Sequence, residues 1–241
     1  MNSSELIQNI SVIVACRSSK RHLLDVLVDL KLWFSEIIIV GPNCSEISKI
    51  IKTHDQKWVE TELCSIQRLW KKGMQSVNSE WYLLLEGSEY ISTVLKESIL
   101  EISNRELSGP NWFPIKREIV FLKQRLKYPL EWTYDPKSGL LFKGTENSNH
   151  IDLNKIEKEP LKGRSIYFSE KTIEEAIKNS FHRADQAAVE INQVINNKGI
   201  LKLLLKAIIH VPTNFFKKWV VHKGMREGFE GLVFSLLDTV T

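Results

Sequence analysis

The chain has 241 residues, 43% of them hydrophobic, and its 33 Lys and Arg against 29 Asp and Glu give a formal charge of +4. That length supports one large domain or one domain with an appendage, and the apolar fraction excludes global disorder. The charge is too small, and a basic stripe with interleaved aromatics is too plainly missing, for a nucleic-acid partner.

Cys16, Cys44 and Cys64 are odd in number and show no CxxC spacing. Neither a disulfide framework nor a structural zinc is expected, and reduced thiols fit a cytosolic setting. The opening MNSSELIQNI does not read as a signal peptide. No run reaches the roughly 18 apolar residues that span a bilayer, so the protein is expected to be soluble or to sit on a membrane surface.

In chain order, residues 10–15 (ISVIVA) form a short β-branched run and read as a buried strand. The polar loop CRSSKR follows. Leu23, Leu24, Leu27, Leu30 and Phe34 then recur at three- and four-residue spacing, which predicts a helix. Residues 36–40 (EIIIV) are a second buried strand, ended by Gly41 and Pro42. A second helix is expected over 44–53, with Ile47, Ile50 and Ile51 on one face. A third strand is expected over 57–61, a third helix over 66–77 and a fourth strand over 81–85.

Strands alternating with helices argue for a parallel sheet covered on both faces. Ligands of such sheets gather at the carboxyl ends of the strands. The segments there are 16–20, 41–45 and 86–89, and they are expected to converge. The last reads Glu-Gly-Ser-Glu. Two carboxylates and a glycine at a strand end outline a site for a metal and a phosphate. A glycine turn with both side chains in water is the other reading.

After residue 110 the pattern changes. Pro110, Pro114, Pro129, Pro136 and Pro160 stand among charges and aromatics, predicting short strands and long loops, with one strand over 140–142 after the turn DPKSG. Residues 170–196 return to helical spacing through Ile173, Ala176, Ile177, Phe181 and Ala184, and Asn196-Asn197-Lys198-Gly199 ends the helix. The tail mixes Leu, Ile, Phe and Trp with Lys202, Lys206, Lys217, Lys218, Lys223 and Arg226, and Pro212 splits it into two helical pieces. Such basic amphipathic helices can lie in the interface of an anionic membrane. Packing on the sheet is the alternative.

Four stretches carry a resemblance: SVIVACRSSKRHLLDVL, FSEIIIVGPNCSEISKII, WKKGMQSVNSEWYLLLEGSEYIS and FFKKWVVHKGMREGFEGLVFSLL. They resemble the family 2 glycosyltransferases, above all bacterial enzymes of the lipopolysaccharide-core and envelope-glycan type. The tail is the closest match, since such enzymes commonly end in an aromatic-rich helix, a Lys-Gly-x-x-x-Gly turn and another apolar helix. The resemblance implies a GT-A fold, a mostly parallel α/β sheet flanked by helices, with C-terminal amphipathic helices. Residues 1–198 would form the transferase domain and 199–241 a basic helical appendage.

The implied activity is transfer of a sugar from a nucleotide-sugar donor to a cell-envelope glycan or lipid-linked acceptor. The protein would be cytoplasmic, held at the inner face of the membrane by 199–241. A divalent cation, Mg2+ or Mn2+, would neutralise the diphosphate. Glu86 and Ser88 stand in the family's Asp-x-Asp positions and are the implied metal contacts. Glu89 occupies the place of the acidic residue that often follows and, with His150 and Asp152, is an implied catalytic residue. Ala15, Arg17, Arg68, Gly87, Lys116 and Arg117 are the implied residues around the donor or its phosphates. His150 and Asp152 stand where the family carries Val-His-Glu, which makes Asp152 the candidate general base. Trp132 and Tyr134 are candidates to stack on a sugar ring. The chain departs from the pattern at Gly41 and Ser88, where the family has Asp. That motivates an alternative: a non-catalytic relative that binds a glycan or a partner transferase at the membrane.

Overall fold

Continuous apolar runs, buried on both faces, decide the first half of the fold. In the computed structural model, residues 6–16, 22–42, 47, 49, 56–62, 65–77, 79–105, 111–126, 140–143, 160–192, 211–221 and 223–240 are described. Strands β1 (Ile7–Ala15), β2 (Phe34–Gly41), β3 (Lys57–Glu60) and β4 (Trp81–Glu86) pair in parallel. After β5 (Glu89–Ile91), β6 (Asn111–Pro114) joins the same sheet. Strands β7 (Arg117–Phe121) and β8 (Gln124–Arg125) form a short hairpin, and β9 (Leu140–Lys143) and β10 (Ser165–Phe168) follow. The main sheet has six strands in the order β3-β2-β1-β4-β9-β6, with β9 antiparallel to both its neighbours.

Among the described residues, helices α1 (Leu23–Lys31), α2 (Ile66–Met74) and α3 (Thr93–Ser103) cover this sheet. Successive strand residues face opposite sides. Val12, Val14, Ile37, Ile39, Leu83 and Leu85 therefore pack with Leu23, Val26, Leu27 and Leu30 of α1 and Leu95 and Ile99 of α3. Ile13, Ala15, Ile38, Val40, Tyr82 and Leu84 pack with Ile66, Leu69 and Trp70 of α2 on the other face. This is the mixed α/β architecture with a mostly parallel sheet flanked by helices that the alternation predicts.

Two local differences have plain causes. Phe34 opens β2 and does not extend α1, because the chain turns at Leu32 and Trp33, where the Trp33 N–H donates to the Leu30 carbonyl at 3.0 Å. An apolar residue four positions after Leu30 satisfies either pattern. Helix α3 carries no expectation from sequence, yet Ser92 caps it by accepting from the Leu95 N–H at 3.3 Å. Of the helix expected over 44–53, only Ile47 and Lys49 are described, both helical, and the rest lies outside the described residues.

The chain divides into two units, Met1–Arg117 with Thr133–Phe168, and Glu118–Trp132 with Ser169–Thr241. The first holds the six-stranded sheet and an antiparallel pairing of β5 with β10. The second holds α4 (Ile173–Asn192), a helical stretch over 211–216 that includes Pro212, a π turn at Lys217–Val221, a 3-10 turn at Gly224–Glu227 and α5 (Gly228–Val240). The boundary expected at 198/199 lies outside the described residues.

Helix α5 is amphipathic the wrong way round for a water-facing helix. Gly231 and Ser235 are buried, and the Ser235 hydroxyl donates to the Gly231 carbonyl at 2.6 Å. A Cβ on Gly231 would lie 2.1 Å from the Gly224 carbonyl oxygen, so the 3-10 turn is pressed onto this face. Phe234 meets Phe121 edge-on at 5.2 Å. Phe229, Leu232 and Leu236, at three- and four-residue spacing, face outward. Among the described residues, no helix is long and apolar enough to cross a membrane.

Candidate functional site

The order of the main sheet reverses at β1. Strands β2 and β3 lie to one side and β4 to the other, and such reversal points are where open α/β sheets hold ligands at their carboxyl ends. Ala15 stands opposite Glu86 in register, and the Gly87 N–H donates to the Ala15 carbonyl at 2.9 Å. Two residues of the expected donor site thus meet at the reversal point.

On the β2 side, the Cys16 N–H donates to the Val40 carbonyl at 2.8 Å. A Cβ on Gly41 would lie 2.2 Å from the Cys16 carbonyl oxygen. No side chain fits at this position without parting the strand ends, which is why glycine stands where a carboxylate was expected by resemblance.

Glu86 ends β4, Gly87 and Ser88 make a two-residue turn, and Glu89 begins β5. The Glu89 side chain has no exposure to solvent. Its Oε1 accepts from the Arg117 Nε at 3.0 Å and from the Ser165 hydroxyl at 2.5 Å. Its Oε2 accepts from the Arg117 Nη2 at 2.6 Å and from the Glu86 backbone N–H at 3.1 Å. Arg117 completes its fork with Nη1, which donates to the Glu86 Oε1 at 3.1 Å. Its guanidinium also lies 5.1 Å from the centre of the Tyr167 ring, within cation–π range. The backbone is tied as well, since the Ser165 N–H donates to the Lys116 carbonyl at 2.8 Å.

Burial alone would lower the Arg117 pKa, but the charges of Glu89 and then Glu86 outweigh it and raise the pKa above its ordinary value. The group stays a cation. It sits between two carboxylates, so the cluster carries one net negative charge when all three are ionised. A bidentate guanidinium–carboxylate pair supported by further donors is among the strongest polar arrangements a protein interior offers.

This arrangement tests the metal expected at Glu86 and Ser88. At least three of the four carboxylate oxygens of Glu86 and Glu89 already accept from the guanidinium or from neighbours tied to it. Hard divalent cations take six or more oxygen ligands and favour anionic ones. An ion here would compete with a fixed positive charge for the same oxygens. Ser88 is itself buried, at 2% exposure. Among the described residues, no group of three or more His, Cys, Asp or Glu could hold a metal. The residues of this turn do not fit a divalent cation.

Lys116 is exposed, and Arg68 is exposed in the first turn of α2. Arg17, Trp132, Tyr134, His150 and Asp152 lie outside the described residues. Ser165 and Tyr167 belong to the site and were not expected. Ser165 is 76 positions from Glu89, a separation that no local spacing reports. Beside the turn, Tyr90, His22 and Phe168 form an aromatic group, with Phe168 5.0 Å from His22 and 5.3 Å from Tyr90. The Tyr90 hydroxyl donates to Asp25 at 3.5 Å. Burial, and then the charge of Asp25, push the Tyr90 pKa up to about 12.

No family model matches the chain, and no curated protein matches it. Among solved structures it is similar to the mannosyltransferase PcManGT from Pyrobaculum calidifontis in complex with GDP-Man and Mn2+, with 10% identity and a TM-score of 0.44. That match covers 76% of this chain and 64% of the other, so the chain spans less than two thirds of that protein's length. It is also similar to S. aureus TarS 1-349 in complex with UDP-GlcNAc, with 12% identity over 96% of this chain and 80% of the other and a TM-score of 0.45. A putative protein (Aq1419) from Aquifex aeolicus VF5 matches 58% of this chain and 74% of its own at 13% identity and a TM-score of 0.33. Each overlap is loose, and the chemistry of the site rests on the geometry above.

Proposed function

We propose that the chain is a glycosyltransferase that moves a sugar from a nucleotide-sugar donor to a cell-envelope glycan or lipid-linked acceptor. The observation that carries this reading is the reversal of strand order at β1, where Ala15, Glu86 and Gly87 meet. It coincides with the stretch of sequence that resembles the family 2 glycosyltransferases. In the reaction, the acceptor hydroxyl oxygen bonds to the anomeric carbon as the bond to the diphosphate oxygen breaks. Asp152, with His150 near it in sequence, takes the hydroxyl proton. Charge for the departing diphosphate comes from Arg17, Arg68 and Lys116. Arg117 is committed to its two carboxylates and positions the turn.

The acceptor is reached at the inner face of the membrane, through the segment 199–241. What supports this is the outward face of α5 together with exposed Lys217, Lys223 and Arg226 in the turns before it. A second reading, a non-catalytic relative that binds a glycan or partner transferase, is favoured by one observation: both carboxylates of the Glu86–Glu89 turn are already paired with Arg117.

The test is thermal stability of the protein against a panel of nucleoside diphosphates and nucleotide-sugars. A ligand that binds only the folded state raises the melting temperature as its saturation rises. A shift with one nucleotide class supports the donor site, and its loss in Arg68→Ala or Lys116→Ala assigns the charges. Well-folded protein that responds to no nucleotide favours the non-catalytic relative.

A further inference from the structure

We propose that Arg117 is a tethered cation that stands in for a divalent ion at the turn between β4 and β5, so that this strand end holds its shape and charge without metal. The inference begins with what the turn needs. Glu86 and Glu89 lie three residues apart on either side of a tight turn, and Glu89 is fully buried. Two carboxylates brought together this way repel, and a buried one must be neutralised or protonated. A bound metal would supply the neutralising charge from solution. Here the chain supplies it covalently, from the first residue of β7.

The geometry is that of a built clamp. Arg117 uses all three of its nitrogens, the Nε and Nη2 on the two oxygens of Glu89 and the Nη1 on Glu86. A planar fork can do this and a lysine cannot. Tyr167 lies close enough to meet the guanidinium through its ring, and Ser165 fills a further acceptor site on Glu89. The Ser165 N–H bond to the Lys116 carbonyl sets the backbone one residue before the clamp. Only 11% of the Arg117 side chain and 13% of the Glu86 side chain is exposed. The oxygens that an incoming ion would seek are therefore occupied by a competitor that cannot diffuse away.

For donor binding, this inference deepens the reading above and rests on it: a nucleotide bound at this strand end needs no metal bridge. The occupation of the carboxylates does not depend on that reading. The two are separable by experiment.

The full-length protein, stripped with EDTA, is titrated with Mn2+ alone while its melting temperature is followed. The expected result is no shift in the wild type. Arg117→Met, which takes the cation from between the carboxylates, is expected to melt several degrees lower and to regain part of the loss as Mn2+ is added. Glu86→Gln in that background should abolish the recovery. Should Arg117→Met fail to fold, Arg117→Lys keeps a point charge without the fork; it should melt below wild type and gain nothing from Mn2+.

A saturable rise of the wild-type melting temperature with Mn2+ that disappears in Glu86→Gln overturns the proposal. So does Arg117→Met that melts like the wild type. A nucleoside diphosphate that stabilises the protein equally in EDTA and in Mn2+ supports it, and one that stabilises only with Mn2+ overturns it. No response to any nucleotide counts against the donor-site reading alone, and the Mn2+ titration still decides the role of Arg117.

Discussion

Replacing Gly41 by alanine is a sharp probe of the strand ends, because its sign is opposite to the usual one. Gly→Ala at a position whose backbone tolerates it stabilises a protein by about 0.4–1 kcal/mol through the unfolded chain. At Gly41 the new Cβ would lie 2.2 Å from the Cys16 carbonyl oxygen, where ordinary contact begins at 3.4 Å. The ends of β1 and β2 would have to part by more than an ångström. They are held there by the Cys16 N–H bond to the Val40 carbonyl at 2.8 Å, while the Thr61 N–H bond to the Gly41 carbonyl at 3.0 Å fixes β2 against the end of β3. Overpacking of this kind costs about 1–3 kcal/mol, and a weakened buried hydrogen bond adds roughly 0.5–1.5 kcal/mol. Set against the unfolded-chain gain, these leave a net loss of about 0.5–4 kcal/mol for Gly41→Ala. Equilibrium urea unfolding reads it as a lower midpoint at unchanged slope. A variant as stable as the wild type, or more so, would refute the closeness of the strand ends and the explanation of why no acid stands there.

Gly231→Ala drives a Cβ to 2.1 Å from the Gly224 carbonyl oxygen and should cost about 1–3 kcal/mol in the same assay, whereas Leu232→Ala on the outward face should stay within roughly 1 kcal/mol. Tyr90 should ionise late: the ultraviolet difference between wild type and Tyr90→Phe should show a phenolate with a midpoint at about 12, not 10.0. Because its folded pKa is raised, the stability Tyr90 contributes is complete below pH ~10 and is lost as pH rises through about 12. In vesicle flotation, wild-type protein should rise with anionic lipid and be released by salt. The triple variant Phe229→Ser, Leu232→Ser, Leu236→Ser should stay in the bottom fraction while remaining folded by circular dichroism.

Strands β1, β2 and β4 were legible because each is buried on both faces and so reads as an unbroken apolar run. The parallel sheet followed from the alternation of strand and helix, whereas the strand order, and with it the reversal point, carried no expectation from sequence. Other parts were hidden for physical reasons. β5 is three residues long and directly follows a turn, too short for a pattern. β6 contains Pro114 and reads as loop, though its partner β9 was expected. At the site, the paired carboxylates were visible, but their partner was not. Arg117 is 28 positions from Glu89, and in sequence it looks like any member of a basic pair beside Lys116. Ion pairs set by tertiary packing leave no periodic trace, so the same two glutamates read as a metal motif until the guanidinium between them is seen.

Helix α5 has a consequence for how much of this protein a cell can tolerate. Phe229, Leu232 and Leu236 are 59%, 37% and 52% exposed, so covering them gains about half of the roughly 1.5–3 kcal/mol that full burial of such a side chain brings. A surplus of molecules with nothing to cover that face would find one another, and a patch of this kind is an aggregation liability. If α5 docks on a membrane as proposed, the abundance of the chain is tied to the supply of that surface, and overproduction without it should send the chain to inclusion bodies before any defect in folding does.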